Sequence, residues 1–183
     1  MPQPGTSDTA ASRPEAPADA PVSRTAFREA MARLGAAVNV ITTDGPGGRC
    51  GFTASAVCSV TDDPPTLLVC VNRGNDSHDP LIANGVICIN TLTHGQQSLS
   101  PVFAGLGEAD SHAARFGHAD WDRLATGAPV LRDAAVSFDC RIAQRVEVGT
   151  HTVFFCAVEA IRIGTVHEGL IYYGRHYHRV APP

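Results

Sequence analysis

Short hydroxyl side chains recur along one strand-like segment, GFTASAVCSVTDDPP, at residues 51–65. Alternate side chains of a strand share a face, so Thr53, Ser55 and Ser59 would lie together. The small neighbouring residues would let a flat ligand approach the backbone while the hydroxyls form hydrogen bonds with it. The segment is therefore a candidate binding surface for a flat, partly polar ligand.

A second candidate lies after the next strand-like run. Asn72 leads through Arg73 to Ser77, which would begin a short helix within residues 76–84. Free backbone N–H groups at a helix start, a hydroxyl and a nearby arginine favour phosphate binding. The two segments together predict a small phosphorylated ligand. The spacing alone equally allows a plain interpretation, a hydroxyl-lined outer strand beside an ordinary capped helix.

Histidines close to the C-terminus raise the question of a metal site. His176 and His178 would share a strand face, and His151 could join them. No further ligand spacing supports such a site, so we predict no bound metal.

The remaining pattern indicates one helix followed mainly by strands. SRTAFREAMARLG, at 23–35, has Ser23 as an N-cap and apolar residues on one face. Strands are predicted at 36–44, 51–61, 66–72, 85–92, 134–148, 152–164 and 169–174, with a broken helical pattern at 96–124. The first two strands are predicted to pair as a hairpin across the turn GPGG at 45–48. Many short strands joined by tight turns predict a mainly β fold, an antiparallel barrel with flanking helices.

Composition narrows the class of protein. The chain has 183 residues, enough for one domain, and its first 22 are rich in Pro and Ala, which predicts a disordered tail (1–22) before a domain at 23–183. The net charge of −4 leaves no basic stripe for nucleic acid. We found no secretory leader pattern or bilayer-length apolar run, so we expect a cytoplasmic protein with no membrane partner. Six cysteines without CxxC spacing favour reduced, buried thiols.

The stretch ITTDGPGGRCGFTASAVCSVTDDPPTLLVCVNRG resembles the signature of the short-chain flavin reductases, which have an FMN-binding split barrel of Greek-key type. The similarity continues through residues 115–116, 127–131, 137–142, 148–161 and the closing GLIYYGRHYH, and covers nearly all of 24–180. Segments such as FREAM, LGAAVN and VGTH are most similar to members that pass reduced flavin to a pyrimidine-ring oxygenase.

The resemblance implies an NADH-dependent FMN reductase, a homodimer, that supplies a flavin-dependent oxygenase. It implies flavin contacts from Thr53, Ala54 and Ser55, with Ser59 on the same face, and phosphate contacts from Asn72, Arg73 and Ser77. His151 would position the nicotinamide, and Tyr173 is a weaker candidate for the same pocket.

Two other functions stay open at this stage. One is a reductase that uses FAD or FMN and serves an aromatic hydroxylase; the other is a flavin-binding protein without turnover. The chain also departs from the family at Gly149-Thr150-His151, where members commonly carry Gly-Asp-His. The departure leaves the function of the family's carboxylate open in this chain.

Overall fold

The computed structural model describes residues 21–106 and 111–181, and its architecture is mainly β. The strands are β1 Ala36–Ala37, β2 Asn39–Thr43, β3 Cys50–Ala54, β4 Val57–Asp62, β5 Pro65–Asn72, β6 Val86–Thr91, β7 Trp121–Arg123, β8 Pro129–Leu131, β9 Val136–Val148, β10 His151–Ile163, β11 Gly169–Tyr173 and β12 His176–Val180. The helices are α1 Arg24–Met31, α2 His78–Asn84, α3 Leu99–Phe103 and α4 His112–Phe116, with a 3-10 turn at His94–Gln96. Most of the predicted tail lies outside the described residues.

Seven strands form one antiparallel sheet in the order β3-β2-β6-β9-β10-β5-β4. Its two outer strands, β3 and β4, follow each other in the chain with only Ser55 and Ala56 between them. The chain thus leaves its pairing with β2 and at once begins pairing with β5, which closes the sheet into a barrel. We call residues 54–57, where this change occurs, the seam.

The seam explains why the hydroxyl-lined segment is not one strand. Val57 N donates to Ser55 O at 2.9 Å, which marks a sharp bend, and Cys70 N donates to Ala56 O at 3.0 Å. Ala54 and Val57 both pack on the barrel core, although strict alternation would put them on opposite faces. The prediction of a single strand with a continuous hydroxyl face was therefore wrong.

The largest buried cluster fills the barrel, with Ile41, Val69, Ile89 and Phe154 almost fully buried. A second cluster lies outside it, under α3 and α4, where the rings of Phe103, Phe116 and Trp121 pack edge-on at centroid distances of 4.8 to 5.6 Å. A three-stranded sheet, β1-β11-β12, borders this cluster. The flanking elements thus extend the barrel wall on the side of β3.

Sequence and structure agree on most elements. Helix α1 begins after Ser23, whose hydroxyl accepts from Ala26 N at 3.1 Å, and β2 and β3 form the predicted hairpin. The predicted run 36–44 is interrupted at Val38, whose N–H and carbonyl bond to Leu170 and Leu92. The pair β7–β8 was not predicted. No helix among the described residues is long and apolar enough to cross a membrane.

Candidate functional site

A cavity of about 240 Å³ opens beside the seam. Its walls are Val38, Thr53, Ala54, Ser55, Ser100, Ala104, Leu106, Tyr172 and Tyr177. The lining residues of β3 and the bend, Thr53, Ala54 and Ser55, are small, and Tyr172 and Tyr177 contribute rings with centroids 5.2 Å apart. We call it the seam cavity. Small residues and aromatic rings around one cavity suit a flat ligand.

Some hydroxyl groups on the cavity wall already form hydrogen bonds within the protein. Thr53 Oγ1 donates to the Ser100 carbonyl at 2.7 Å, so this hydroxyl ties β3 to α3. Ser100 Oγ and the Tyr177 hydroxyl lie 2.8 Å apart. Ser55, in contrast, is exposed at the bend and lines the cavity. Of the predicted hydroxyls, Ser55 is therefore the one placed to contact a ligand without breaking a described bond.

A buried amide fixes the backbone behind the seam. Asn39, which is 3% exposed, donates to the carbonyls of Ala37 and Ala54 at 3.1 and 3.3 Å. Its own side-chain oxygen accepts from Thr91 Oγ1 at 2.8 Å. Asn39 thus holds three strands together at the cavity wall, and no local sequence pattern singles it out.

The closing strands contribute Tyr172 and Tyr177 rather than the predicted Tyr173. Successive residues of a strand face opposite sides, so β11 directs Tyr172 to the cavity and Tyr173 away from it. Tyr173 instead packs near Gly35 and against the ring of His178, at a centroid distance of 5.9 Å. A choice between adjacent tyrosines needs the register of β11, which the sequence does not supply.

His151 begins β10 and lies at the surface, opposite Asn72 of β5. Its Nδ1 lies 2.9 Å from Thr150 Oγ1, so a hydroxyl from the neighbouring residue contacts the imidazole. Ala56 of the seam bonds to Cys70, two residues before Asn72, which is about 7 Å along β5. The His151 turn and the seam therefore border the same stretch of barrel wall.

The side chain of Arg73 contacts the turn between β9 and β10. Its guanidinium donates to Glu147 Oε2 at 2.6 Å and to the Gly149 carbonyl at 2.7 Å, and its backbone N–H donates to the Thr150 carbonyl at 3.0 Å. The structure therefore shows Arg73 in contact with the β9–β10 turn, and its predicted phosphate contact stays a prediction. We call residues 148–151 the hairpin.

The other predicted phosphate residues form a tight loop. Asn72 Oδ1 accepts from Gly74 N at 2.8 Å, and Asn75 Oδ1 accepts from Ser77 N at 2.8 Å. Ser77 precedes α2, as predicted, but its hydroxyl does not cap the helix and the residue is fully buried. Ser59 lies exposed on β4 and does not line the seam cavity.

The cysteines are free thiols, and four of the six are buried. Burial raises the pKa of the Cys156 thiol to about 12, and it also raises the pKa of Cys140 and Cys88 well above the ordinary value. Such thiols are protonated at neutral pH and act as apolar packing groups. No group of three potential metal ligands was found among the described residues.

The sequence profile of the Flavin reductase like domain matches residues 31–181. The chain belongs to the flavin reductase family. A relative from Variovorax paradoxus, named FMN reductase (NADH) RutF, is 57% identical over 157 residues, which are 86% of each chain. A solved flavin reductase structure from Haemophilus somnus has a TM-score of 0.82 and 45% identity, covering 87% of this chain and all of that one.

A third comparison involves ligands. An NADH:FAD oxidoreductase from Streptomyces globisporus, solved with NAD and FAD fragments, has a TM-score of 0.78 and 29% identity and covers 87% of this chain and 93% of its own. These flavin reductases confirm the predicted fold, a mainly β antiparallel split barrel. The residues that line the seam cavity suit a flavin, because a flat ring could lie next to the small strand residues and the tyrosines.

Proposed function

We propose that this flavin reductase family member is an NADH-dependent FMN reductase that supplies reduced FMN to a flavin-dependent oxygenase. The observation that carries the proposal is the seam cavity, a tyrosine-flanked opening beside the small residues Thr53, Ala54 and Ser55. It is supported by a 57% identical relative named FMN reductase (NADH) RutF. The resemblance to reductases that serve a pyrimidine-ring oxygenase supports uracil-type ring degradation as the pathway.

The reactive electrons belong to the two bound molecules, since hydride passes from a nicotinamide to a flavin ring. The protein's contribution is to bind both and hold them in contact, an effect that can supply about 7–11 kcal/mol in well-oriented systems. We assign the flavin ring to the seam cavity and the nicotinamide to the exposed side, next to His151. Thr150 would orient the imidazole through its hydrogen bond to Nδ1.

FAD in place of FMN is the second candidate, and the Streptomyces globisporus NADH:FAD oxidoreductase favours keeping it. The seam cavity is open to solvent on one side, so a longer nucleotide could extend outwards. A flavin carrier without turnover is the remaining alternative. It would bind flavin in the seam cavity but leave NADH unoxidised.

We also propose a homodimer, supported by an uncovered sheet face. Phe154 of β10 is buried and faces the barrel core, so its neighbours Val153 and Phe155 lie on the outer face of the strand. Val153 lies opposite Val146, and Phe155 lies opposite Leu68, so an apolar patch runs across three strands. Contiguous apolar surface of this kind is typical of a protein–protein interface. Measurement of the mass in solution checks the proposal, and a monomer would contradict it.

For the rest of the chain we keep the predicted organisation, a tail at 1–22 before the barrel domain at 23–183, in a cytoplasmic enzyme. Reduced, buried thiols support a reducing compartment. Deleting residues 1–22 should leave melting temperature and reductase rate unchanged. A clear loss of either would show that the segment belongs to the working enzyme.

The decisive experiment is NADH oxidation, followed by loss of NADH absorbance, with FMN, FAD or riboflavin added in turn. We expect oxidation that depends on enzyme and is fastest with FMN. A preference for FAD would favour the second candidate. Flavin binding without NADH oxidation would identify a carrier and refute the proposed activity.

A further inference from the structure

A nearly buried arginine lies next to the seam cavity with few partners among the described residues. The side chain of Arg115, in α4, is only 13% exposed. A Cβ on Gly105 would lie 3.5 Å from Arg115 Nη2, and the residues on either side of Gly105, Ala104 and Leu106, both line the seam cavity. The guanidinium therefore lies just behind one wall of the cavity.

The polar contacts of Arg115 are poor for a buried cation. Its Nη1 lies 3.4 Å from His112 Nδ1 and 3.7 Å from an Asp76 carboxylate oxygen, both long for charge-assisted hydrogen bonds. Its Nε is buried and has no partner among the described residues. Buried guanidinium groups normally have their donors satisfied, so this one can accept a further partner that the described residues do not supply.

A second unpartnered group lies in the same neighbourhood. Ser77 is fully buried, and its Oγ makes no hydrogen bond among the described residues. Burial raises the pKa of the nearby Cys50 thiol, the Ser77 hydroxyl lowers it, and the charges of Asp76 and Arg115 act on it in opposite directions. Asp76, whose carboxylate lies 3.7 Å from Arg115 Nη1, directly precedes Ser77 in the chain. Ser77 and Arg115 therefore lie in the same neighbourhood.

We infer that Arg115, with Ser77 beside it, binds the phosphate of a flavin mononucleotide whose ring occupies the seam cavity. The inference rests on the proposed function and replaces Arg73, which braces the hairpin, as the arginine that contacts phosphate. Asp76, 57% exposed, now supplies the anion nearest Arg115 and His112. A phosphate would replace Asp76 as the nearest anion and offer several acceptor oxygens to the Arg115 donors.

The test compares FMN with riboflavin, which lacks the phosphate, by titration of flavin fluorescence. Arg115→Gln should weaken FMN binding by about 10- to 100-fold and leave riboflavin binding unchanged. Asp76→Asn should tighten FMN binding without affecting riboflavin, because it removes a competing anion. Arg123→Gln is the control, since Arg123 pairs with Asp44 on an exposed part of the surface.

The outcomes separate the alternatives. Equal weakening of both flavins by Arg115→Gln would show a purely structural arginine and overturn the inference. Unchanged FMN affinity in that variant would do the same. If Arg115→Gln does not fold, Asp76→Asn decides alone, because a phosphate site requires it to tighten FMN and not riboflavin. Failure of the parent protein to bind either flavin would instead refute the proposed function.

Discussion

The seam and the hairpin border the same stretch of barrel wall, yet different forces hold them. Phe52, two residues before the seam, and Val57 within it pack in the apolar barrel core, and the Asn39 side chain donates to the Ala54 carbonyl. At the hairpin, exposed polar contacts from Arg73 and Thr150 hold the turn. Burial fixes a backbone firmly, whereas exposed ion pairs contribute about 0–1 kcal/mol each. We therefore expect the seam to be rigid and the hairpin to adjust to a ligand that binds transiently.

The largest effect on stability should come from truncating Phe52, the core residue two positions before the seam. Phe52 is 5% exposed in the barrel core, so Phe52→Ala should lower the free energy of unfolding by about 3–5 kcal/mol. Urea denaturation measures this loss. Val166→Ala, at an exposed position between β10 and β11, is the control and should cost less than about 0.5 kcal/mol. Equal losses of unfolding free energy in the two variants would show that core packing does not hold the seam.

Alkaline pH should weaken the core behind the seam. The pKa of Cys156 is raised by burial from 9.0 to about 12, and those of Cys88 and Cys140 are also raised. The unfolded chain therefore loses these protons first, so stability is fully present below pH 9 and falls as the pH rises towards 12. Each thiol should contribute about 1.4 kcal/mol per pH unit in that window. Chemical denaturation at several pH values gives the slope, and a flat profile above pH 9 would contradict it.

How far the sequence predicts these regions depends on how local the signals are. The cap at Ser23 and the β2–β3 hairpin follow from neighbouring residues, and both were predicted correctly. The bend at Ser55 was missed because small residues there suit one strand or two. The contacts of Arg73 with Glu147 and of Ser100 with Tyr177 join residues more than seventy positions apart, so no local pattern reveals them.

Removing the His151 imidazole should impair the use of NADH at the hairpin without changing FMN binding at the seam cavity. With His151→Ala we expect the Michaelis constant for NADH to rise, or flavin reduction to slow, by about tenfold, as for the loss of one hydrogen bond. FMN affinity should stay unchanged because the seam cavity is intact. Rapid-mixing reduction and a separate FMN titration measure the two effects. If the histidine only stabilises the turn, both ligands and the melting temperature should suffer together.

The smallest expected effect distinguishes two serines of the predicted hydroxyl face. Ser55 lines the seam cavity and Ser59 does not. Ser55→Ala should weaken FMN binding by about 2- to 10-fold through the loss of one neutral hydrogen bond. Ser59→Ala should leave FMN affinity unchanged, and fluorescence titration compares the two. A larger loss in Ser59→Ala would show that the ligand lies along β4 instead of at the bend.

The central claim is that the seam cavity holds the flavin ring. A crystal structure of the protein with FMN tests it most directly. We expect the ring next to the small residues 53–55 and the rings of Tyr172 and Tyr177, with His151 left free on the exposed side. A ring found elsewhere, such as the groove beside Ile82 and Phe154, would contradict it.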